Sequence, residues 1–172
     1  MYHCRLHIYF TGLRQDIFQV IREMPPLEHF THDYLESGRP EKGLAAQADL
    51  ILADLREQDV PAALETLRAS RKEDAQLIVL AEGEQFPLLA DALEQIHDVW
   101  TLPMSGEELR FRFSRWQRDC RERKDAWQTS QYLEATINSI PSLVWYKDKD
   151  GIHEKVNDSF CRTVNKTKEQ VQ

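Results

Sequence analysis

Cysteine is scarce in this chain of 172 residues. The three cysteines, Cys4, Cys120 and Cys161, lie far apart, and no pair has the CxxC spacing. A disulfide framework uses an even set of cysteines, and a structural zinc site uses closely spaced ligand pairs. The sequence therefore predicts neither, and it fits a reducing compartment.

Long hydrophobic runs are also missing. One of the longest, LIVLA at 77–81, has five residues, whereas a helix that spans a bilayer needs about 20 apolar residues. The chain does not open with a charged segment followed by an apolar stretch, which is the pattern of a secretory signal. We therefore expect no membrane insertion and a cytoplasmic location.

Positive charge is in the minority. Lys and Arg number 22 against 29 Asp and Glu, for a net charge of −7. A surface that binds nucleic acid without sequence preference needs clustered basic residues to neutralise phosphates. The basic run RWQRDCRERK at 115–124 is interrupted by acids, which is typical of a solvated helix face. We expect no nucleic-acid partner.

Motifs that carry chemistry are absent as well. The sequence contains no Gly-rich phosphate loop, no GxSxG and no HExxH. An alternative is an enzyme that binds a cofactor at the ends of the strands, but the segment TGLRQD at 11–16 has a single glycine. The sequence predicts no enzymatic activity for this chain, no metal site, and no cofactor in residues 1–106.

Apolar segments that favour strands alternate with amphipathic segments over the first hundred residues. Strands are predicted at 4–10, 27–34, 49–55, 75–82 and 99–103. Helices are predicted at 13–24, 40–47, 60–71 and 86–97, and a fifth begins after Ser105. This alternation predicts right-handed crossovers and a parallel sheet. The predicted fold class is α/β, with a flavodoxin-like, doubly wound, five-stranded sheet over residues 1–106.

A long connector helix is predicted at 107–138, because neither Pro nor Gly occurs between Gly106 and Pro141. Its large residues follow a spacing of three and four that is typical of a coiled-coil seam and is interrupted at Arg123. The seam residues are Leu109, Phe113, Trp116, Cys120 and Trp127. We expect a homodimer through this helix. The alternative is that Leu109, Phe111 and Phe113 pack on the sheet, while Trp116 and Trp127 cover the next domain.

The segment DLILADL at 49–55 places Asp54 at the end of an apolar strand. In open parallel sheets, functional groups gather at the carboxyl ends of the strands. This segment, the order of elements and the run LPMSGEEL at 102–109 resemble a response-regulator receiver domain over residues 1–115. The resemblance implies that Asp54 matches the aspartate that accepts a phosphoryl group in that family.

Four positions depart from the receiver pattern. Where receivers carry Mg²⁺-binding acids, this chain has Phe10 and Thr11. Ala81 replaces a Thr or Ser, and Leu102 replaces a Lys. Because phosphoryl transfer depends on positioning and charge neutralisation, we expect a phosphorylation-independent pseudo-receiver that serves docking or dimerisation, in which Asp54 is a relic or caps a helix or loop. The alternative is a phosphoacceptor receiver that holds Mg²⁺ with unusual ligands.

The segment QYLEATINSIPSLVWYKDKDGIHEKVNDSFCRTVNKTKEQV at 131–171 predicts a helix, a strand that runs into a turn over 142–151, a returning strand at 152–158 and a further helix. Asp150 and Gly151 are the predicted turn residues. This order resembles the opening of a PAS sensor domain and implies a truncated α+β segment at 139–172. The resemblance leaves the PAS ligand unidentified. Together the two resemblances imply a regulatory input region followed by an output domain in the same chain. A diguanylate cyclase is favoured, and a histidine kinase is the alternative.

Overall fold

The computed structural model describes residues 3–12, 14–56 and 58–171. The chain divides into two compact units, residues 1–118 and residues 119–172. The first contains a parallel sheet, and the second contains a small antiparallel hairpin. No helix among the described residues is both long enough and apolar enough to cross a membrane.

Five parallel strands form the centre of the first unit, in the order β2-β1-β3-β4-β5. They are β1 (Cys4–Thr11), β2 (Phe30–Ser37), β3 (Leu50–Asp54), β4 (Gln76–Ala81) and β5 (Asp98–Thr101). The helices are α1 (Gln15–Arg22), α2 (Lys42–Ala45), α3 (Val60–Ser70), α4 (Phe86–Leu89) and the long α5 (Gly106–Ser139). The order is that of a flavodoxin-like doubly wound sheet, so this part of the predicted fold class and the long helix are confirmed.

The central strand β3 is buried along its whole length, which explains its continuous apolar sequence. One face of the sheet packs on α2 and α3 around Tyr9, Ile51 and Leu67. On the other face, the ring of Phe10 stacks on Phe18 of α1 with centroids 4.4 Å apart. Successive strand residues point to opposite faces, so the pair Tyr9 and Phe10 contributes to both layers of the core.

The second strand begins three residues later than the sequence predicts. Residues 27–29 form a turn, in which Phe30 donates its backbone N–H to the oxygen of Leu27 at 2.9 Å. His29 has φ of 71° in this turn, a left-handed conformation that a strand does not use. The prediction of a strand from residue 27 was therefore wrong at its start.

The helix predicted at 86–97 is broken. Only Phe86–Leu89 is α-helical, with 3₁₀ turns at Gly83–Gln85 and Ala90–Gln95 on either side. Leu88 is 52% exposed and Leu93 is 66% exposed, so two of the apolar residues that suggested a core-facing helix lie at the surface. The buried residues of this segment are Leu89 and Ala92, and a short helix depends on such tertiary packing for its stability.

The first turns of α5 belong to the first unit. The large residues buried there are Leu109, Phe113 and Trp116. Trp116 donates its indole N–H to Oε1 of Gln76 at 2.7 Å, and Gln117 donates its amide to the backbone oxygen of Pro25 at 3.2 Å. These contacts tie the helix to the start of β4 and to the turn after α1.

This packing corrects the alternative reading of the helix. Phe111 is 69% exposed and does not join the core, because it lies on the opposite side of the helix from Phe113. Trp116 lies in the core of the first unit instead of covering a second domain. With Leu109, Phe113 and Trp116 engaged in their own chain, Cys120 and Trp127 are the members of the predicted seam that remain outside this core.

The second unit contains the hairpin of β6 (Trp145–Lys147) and β7 (His153–Val156), followed by α6 (Asp158–Val164) and α7 (Lys168–Val171). The turn is held by Asp148, whose Oδ1 accepts the backbone N–H groups of Asp150 and Ile152 at 2.9 Å each. The predicted pair of strands is present but shorter than predicted. An antiparallel pair of this size occurs in many folds, so the PAS resemblance stays a prediction.

Candidate functional site at the carboxyl edge of the sheet

Asp54 is the last residue of β3 and lies at the carboxyl edge of the sheet. Its side chain is 5% exposed. A carboxylate removed from water in this way is costly unless it is paired and hydrogen-bonded. The surroundings of Asp54 therefore decide what this edge can do.

Arg56 supplies the partner. Its Nε donates to Oδ1 of Asp54 and its Nη2 to Oδ2, both at 2.8 Å. The backbone N–H of Arg56 also donates to Oδ1, at 3.3 Å. A bidentate pair of this kind is both stronger and more directional than a single neutral hydrogen bond. Both carboxylate oxygens of Asp54 are thus occupied by one side chain.

Glu82 is the third member of this cluster. The other terminal nitrogen of Arg56, Nη1, donates to Oε1 of Glu82 at 3.0 Å. Glu82 directly follows β4 and also caps the 3₁₀ turn through its reciprocal bonds with Gln85. Arg56 therefore links the carboxyl ends of two neighbouring strands, β3 and β4.

Electrostatics keep this guanidinium charged. The hydrogen bond to Asp54 is the main cause that raises the pKa of Arg56 above its usual range, and the bond to Glu82 raises it further. A second pair lies nearby, since Arg14 donates Nε to Oδ1 of Asp16 at 2.6 Å. That hydrogen bond raises the pKa of Arg14 and lowers the pKa of Asp16. Cations at this edge are therefore already matched with carboxylates.

Gly12 closes the site from the side of β1. Its φ is +117°, and a Cβ placed on it would lie 2.6 Å from the backbone oxygen of Asp54 and 2.7 Å from the Cβ of Asp54. Only glycine adopts this conformation without strain and allows so close an approach. The first residue beyond β1 is thus packed directly against the residue that ends β3.

The four positions that the receiver resemblance singled out lie at the carboxyl ends of their strands. Phe10 is in the core, and Thr11 is fully buried with a hydroxyl oxygen that has no hydrogen-bond partner among the described residues. Ala81 ends β4, and its backbone oxygen accepts the N–H of Leu102 at 2.8 Å. None of the four brings a charge to Asp54, and their assignment as degenerate receiver positions stays a prediction.

Three residues of the site were missed from the sequence, namely Gly12, Arg56 and Glu82. The signal for two of them was present, because Arg56 follows Asp54 by two residues and Glu82 directly follows a predicted strand. Strands that are neighbours in a parallel sheet bring such residues to one edge. The suggestion that Asp54 caps a helix or loop was incomplete, because its main partner is a side chain.

The arrangement favours charge neutralisation over cation binding. Mg²⁺ prefers anionic oxygens, and both oxygens of Asp54 already accept hydrogen bonds from Arg56. Within residues 3–12, 14–56 and 58–171, no three His, Cys, Asp or Glu side chains are grouped so that they could hold a metal ion. As folded, the edge is an ion-paired site with its cation supplied by the chain.

No family model matches the chain, and no curated protein matches it. Solved structures do. The receiver domain of AraT, a response regulator from Geobacillus stearothermophilus, superposes with a TM-score of 0.54 at 17% identity, covering 69% of this chain and 98% of that one. An uncharacterized protein from Neptuniibacter caesariensis gives a TM-score of 0.51 at 16% identity, covering 70% and 93%.

A third structure, an adenylate cyclase from Rhodopirellula baltica, superposes with a TM-score of 0.50 at 9% identity and covers 73% of this chain and 98% of that one. Identities this low establish the fold and nothing about activity. The comparison with AraT shows that the five-stranded part of the chain has the fold of a response-regulator receiver domain.

Proposed function

We propose that this chain is the regulatory input region of a bacterial signal-transduction protein, built on a pseudo-receiver that works without phosphorylation. The observation that carries the proposal is the bidentate pair between Asp54 and Arg56. A carboxylate can attack a phosphoryl group only if it is free and if nearby cations neutralise the developing charge. In this domain Arg56 engages the carboxylate, so the edge serves stability and docking.

The second part of the proposal is that residues 139–172 open a PAS sensor domain. The support is the order of elements, with β6, β7 and α6 following the long helix. The helix would then carry a change in packing between the two units and onward to an output domain in the same chain. We favour a diguanylate cyclase as that output, with a histidine kinase as the alternative, and a cytoplasmic location.

A homodimer through α5 completes the proposal. Trp127 is 56% exposed, and Nζ of Lys124 lies 4.5 Å from the centre of its ring. An exposed tryptophan on the surface of a helix suits pairing with a second chain. Equilibrium sedimentation of the wild type and of Trp127→Glu tests this, because the variant should be monomeric; two equal masses would contradict it.

The decisive experiment on the site is a titration with beryllofluoride and Mg²⁺, followed by two-dimensional NMR of the full chain. Asp54→Asn is the control for binding at this carboxylate. We expect no saturable shifts in the wild type, since Arg56 already engages Asp54. Saturable shifts that vanish in Asp54→Asn would establish a working phosphoacceptor, the alternative function, and would overturn the pseudo-receiver.

A third sample, Arg56→Met, separates two reasons for a negative result. If Arg56 is what blocks the edge, its removal leaves the carboxylates of Asp54 and Glu82 without their shared cation, and Mg²⁺ alone should then shift the resonances around them. If adding Mg²⁺ leaves the spectrum of Arg56→Met unchanged, then the lack of acidic residues at positions 10 and 11 is enough to prevent cation binding. Arg56 would in that case only stabilise the fold.

A further inference from the structure

One buried amide, the side chain of Asn157, joins four segments of the second unit. Asn157 lies between β7 and α6 and is 0% exposed. A buried amide must satisfy two N–H groups and one oxygen, and each of these is used here. The partners come from the end of α5, from the loop that follows it, from the approach to β6 and from the first turn of α6.

The amide nitrogen of Asn157 serves the end of the long helix. Its two Nδ2–H groups face three backbone oxygens, those of Ile137 and Ile140 at 3.0 and 3.1 Å and that of Ser142 at 2.9 Å, so one N–H is shared between two of them. The last carbonyls of a helix have no partner within the helix. Asn157 therefore supplies donors at the point where α5 ends.

The amide oxygen of Asn157 accepts hydrogen bonds from the approach to β6 and from the first turn of α6. It accepts the backbone N–H of Val144 at 3.1 Å and that of Phe160 at 3.0 Å, the second bond being the N-cap of α6. The backbone N–H of Asn157 donates to the oxygen of Val144 at 3.0 Å. One planar group thus fixes the distance between the end of α5 and the start of α6.

A second set of contacts joins the same helices. Lys168 of α7 pairs with Glu134 of α5 and lies 3.1 Å from Oδ1 of Asp158 at the start of α6. Asn138 of α5 accepts the backbone N–H of Asp158 through its Oδ1 at 2.9 Å. The last two turns of α5 are therefore connected to α6 and α7 at several points.

We infer that Asn157 is a positioning residue that couples β7 and α6 mechanically to the last two turns of the long helix. A displacement of β7 or α6 moves the side-chain amide of Asn157, which is hydrogen-bonded to the backbone oxygens of Ile137, Ile140 and Ser142. The end of α5 therefore moves with it. This inference rests on the contacts of residues 134–168 and does not depend on the second unit being a PAS domain.

The test is amide hydrogen exchange on the full chain with Asn157→Asp. The carboxylate keeps oxygens for Val144 and Phe160 but has no N–H groups for the three carbonyls. We expect exchange in residues 134–140 to accelerate about tenfold or more, because those amides open locally, while exchange in α6 stays within about twofold. Strand β3 reports whether the first unit stays folded, and α6 reports whether the second unit does.

Asn165→Gly is the matched control. It removes an asparagine of the same unit, and glycine suits the φ of 54° at this position, so exchange in residues 134–140 should not change. Unchanged exchange in Asn157→Asp, or equal acceleration in α6 and α5, would overturn the coupling.

If Asn157→Asp unfolds the second unit, Lys168→Met decides the matter, because it releases the contacts of Lys168 with Glu134 and Asp158 and leaves Asn157 in place. Faster exchange confined to residues around Glu134 would then support the coupling of these helices, and no change there would overturn it.

Discussion

The guanidinium of Arg56 donates a hydrogen bond to each carboxylate oxygen of Asp54 at 2.8 Å, and only one residue separates Asp54 from Arg56 in the chain. The pair is local in sequence, so no distant element of the chain contributes to these two bonds. Glu82 then extends the pair across to β4 at 3.0 Å. The cation that neutralises this edge is thus part of the local sequence.

Replacing Arg56 by Met should destabilise the chain by about 2–3 kcal/mol, because Asp54 would be left as an unpaired, nearly buried charge. The loss is smaller than for a fully buried pair, since the Arg56 side chain is 20% exposed. Urea unfolding measures it. Arg68→Met, the same change at an exposed position of α3, should alter the free energy of unfolding by less than about 0.5 kcal/mol.

Asp54→Asn in the Arg56→Met background should restore part of this stability, since a neutral amide needs no counterion. Equal urea midpoints for wild type and Arg56→Met would mean that Asp54 does not depend on Arg56, and the ion-paired site would lose its main support.

Gly12→Ala should destabilise the fold by about 2–4 kcal/mol, through backbone strain together with overpacking against Asp54. The same substitution at Gly43 is the control, because a Cβ there meets nothing within 4 Å. In helix α2 it should be neutral or stabilising by up to about 1 kcal/mol. Thermal unfolding compares the two, and similar melting temperatures would contradict the close packing of β1 on β3.

Much of the fold was predictable because its signals are local and repeated. Strand β3 is buried on both faces, so its run of apolar residues identified it directly. The ends of β2 and the helix at 86–97 were not predictable in the same way. Their course depends on a left-handed residue at His29 and on how few contacts cover Leu88 and Leu93, which no periodicity reveals.

The site was predictable only in part for a related reason. Asp54 follows an apolar strand, which the sequence shows, but the bidentate geometry of Arg56 depends on the turn after β3. The proximity of Glu82 depends on which strands are neighbours. Likewise, the spacing of Phe113 and Trp116 fits a dimer seam as well as a buried helix face. Which of the two forms depends on tertiary packing, which the spacing does not specify.

Phe113→Ala should cost about 3–5 kcal/mol, because the ring is fully buried and its removal leaves a cavity under α5. Phe111→Ala is the matched control two residues earlier, on a side chain that is 69% exposed, and it should change the free energy of unfolding by less than about 0.5 kcal/mol. Urea unfolding monitored by circular dichroism measures both. If Phe111→Ala were the more destabilising, the helix would be rotated from the packing described above.

His32 should make the stability of the first unit depend on pH. Its ring lies edge-on to Phe113 of α5, with centroids 5.9 Å apart, and its Nδ1 is 3.2 Å from the hydroxyl of Tyr34. Burial lowers the pKa of His32 below its usual value, because the charged imidazolium is poorly solvated there.

The folded state therefore binds this proton less readily than the unfolded state, so the contribution is fully present above about pH 6.5 and is lost as pH falls through that value toward the lowered pKa. Unfolding in urea across about pH 8 to pH 5 should show stability falling on acidification. In His32→Phe that part of the fall should disappear. Parallel profiles for the two proteins would mean that protonation of His32 does not oppose the packing of α5 on the sheet.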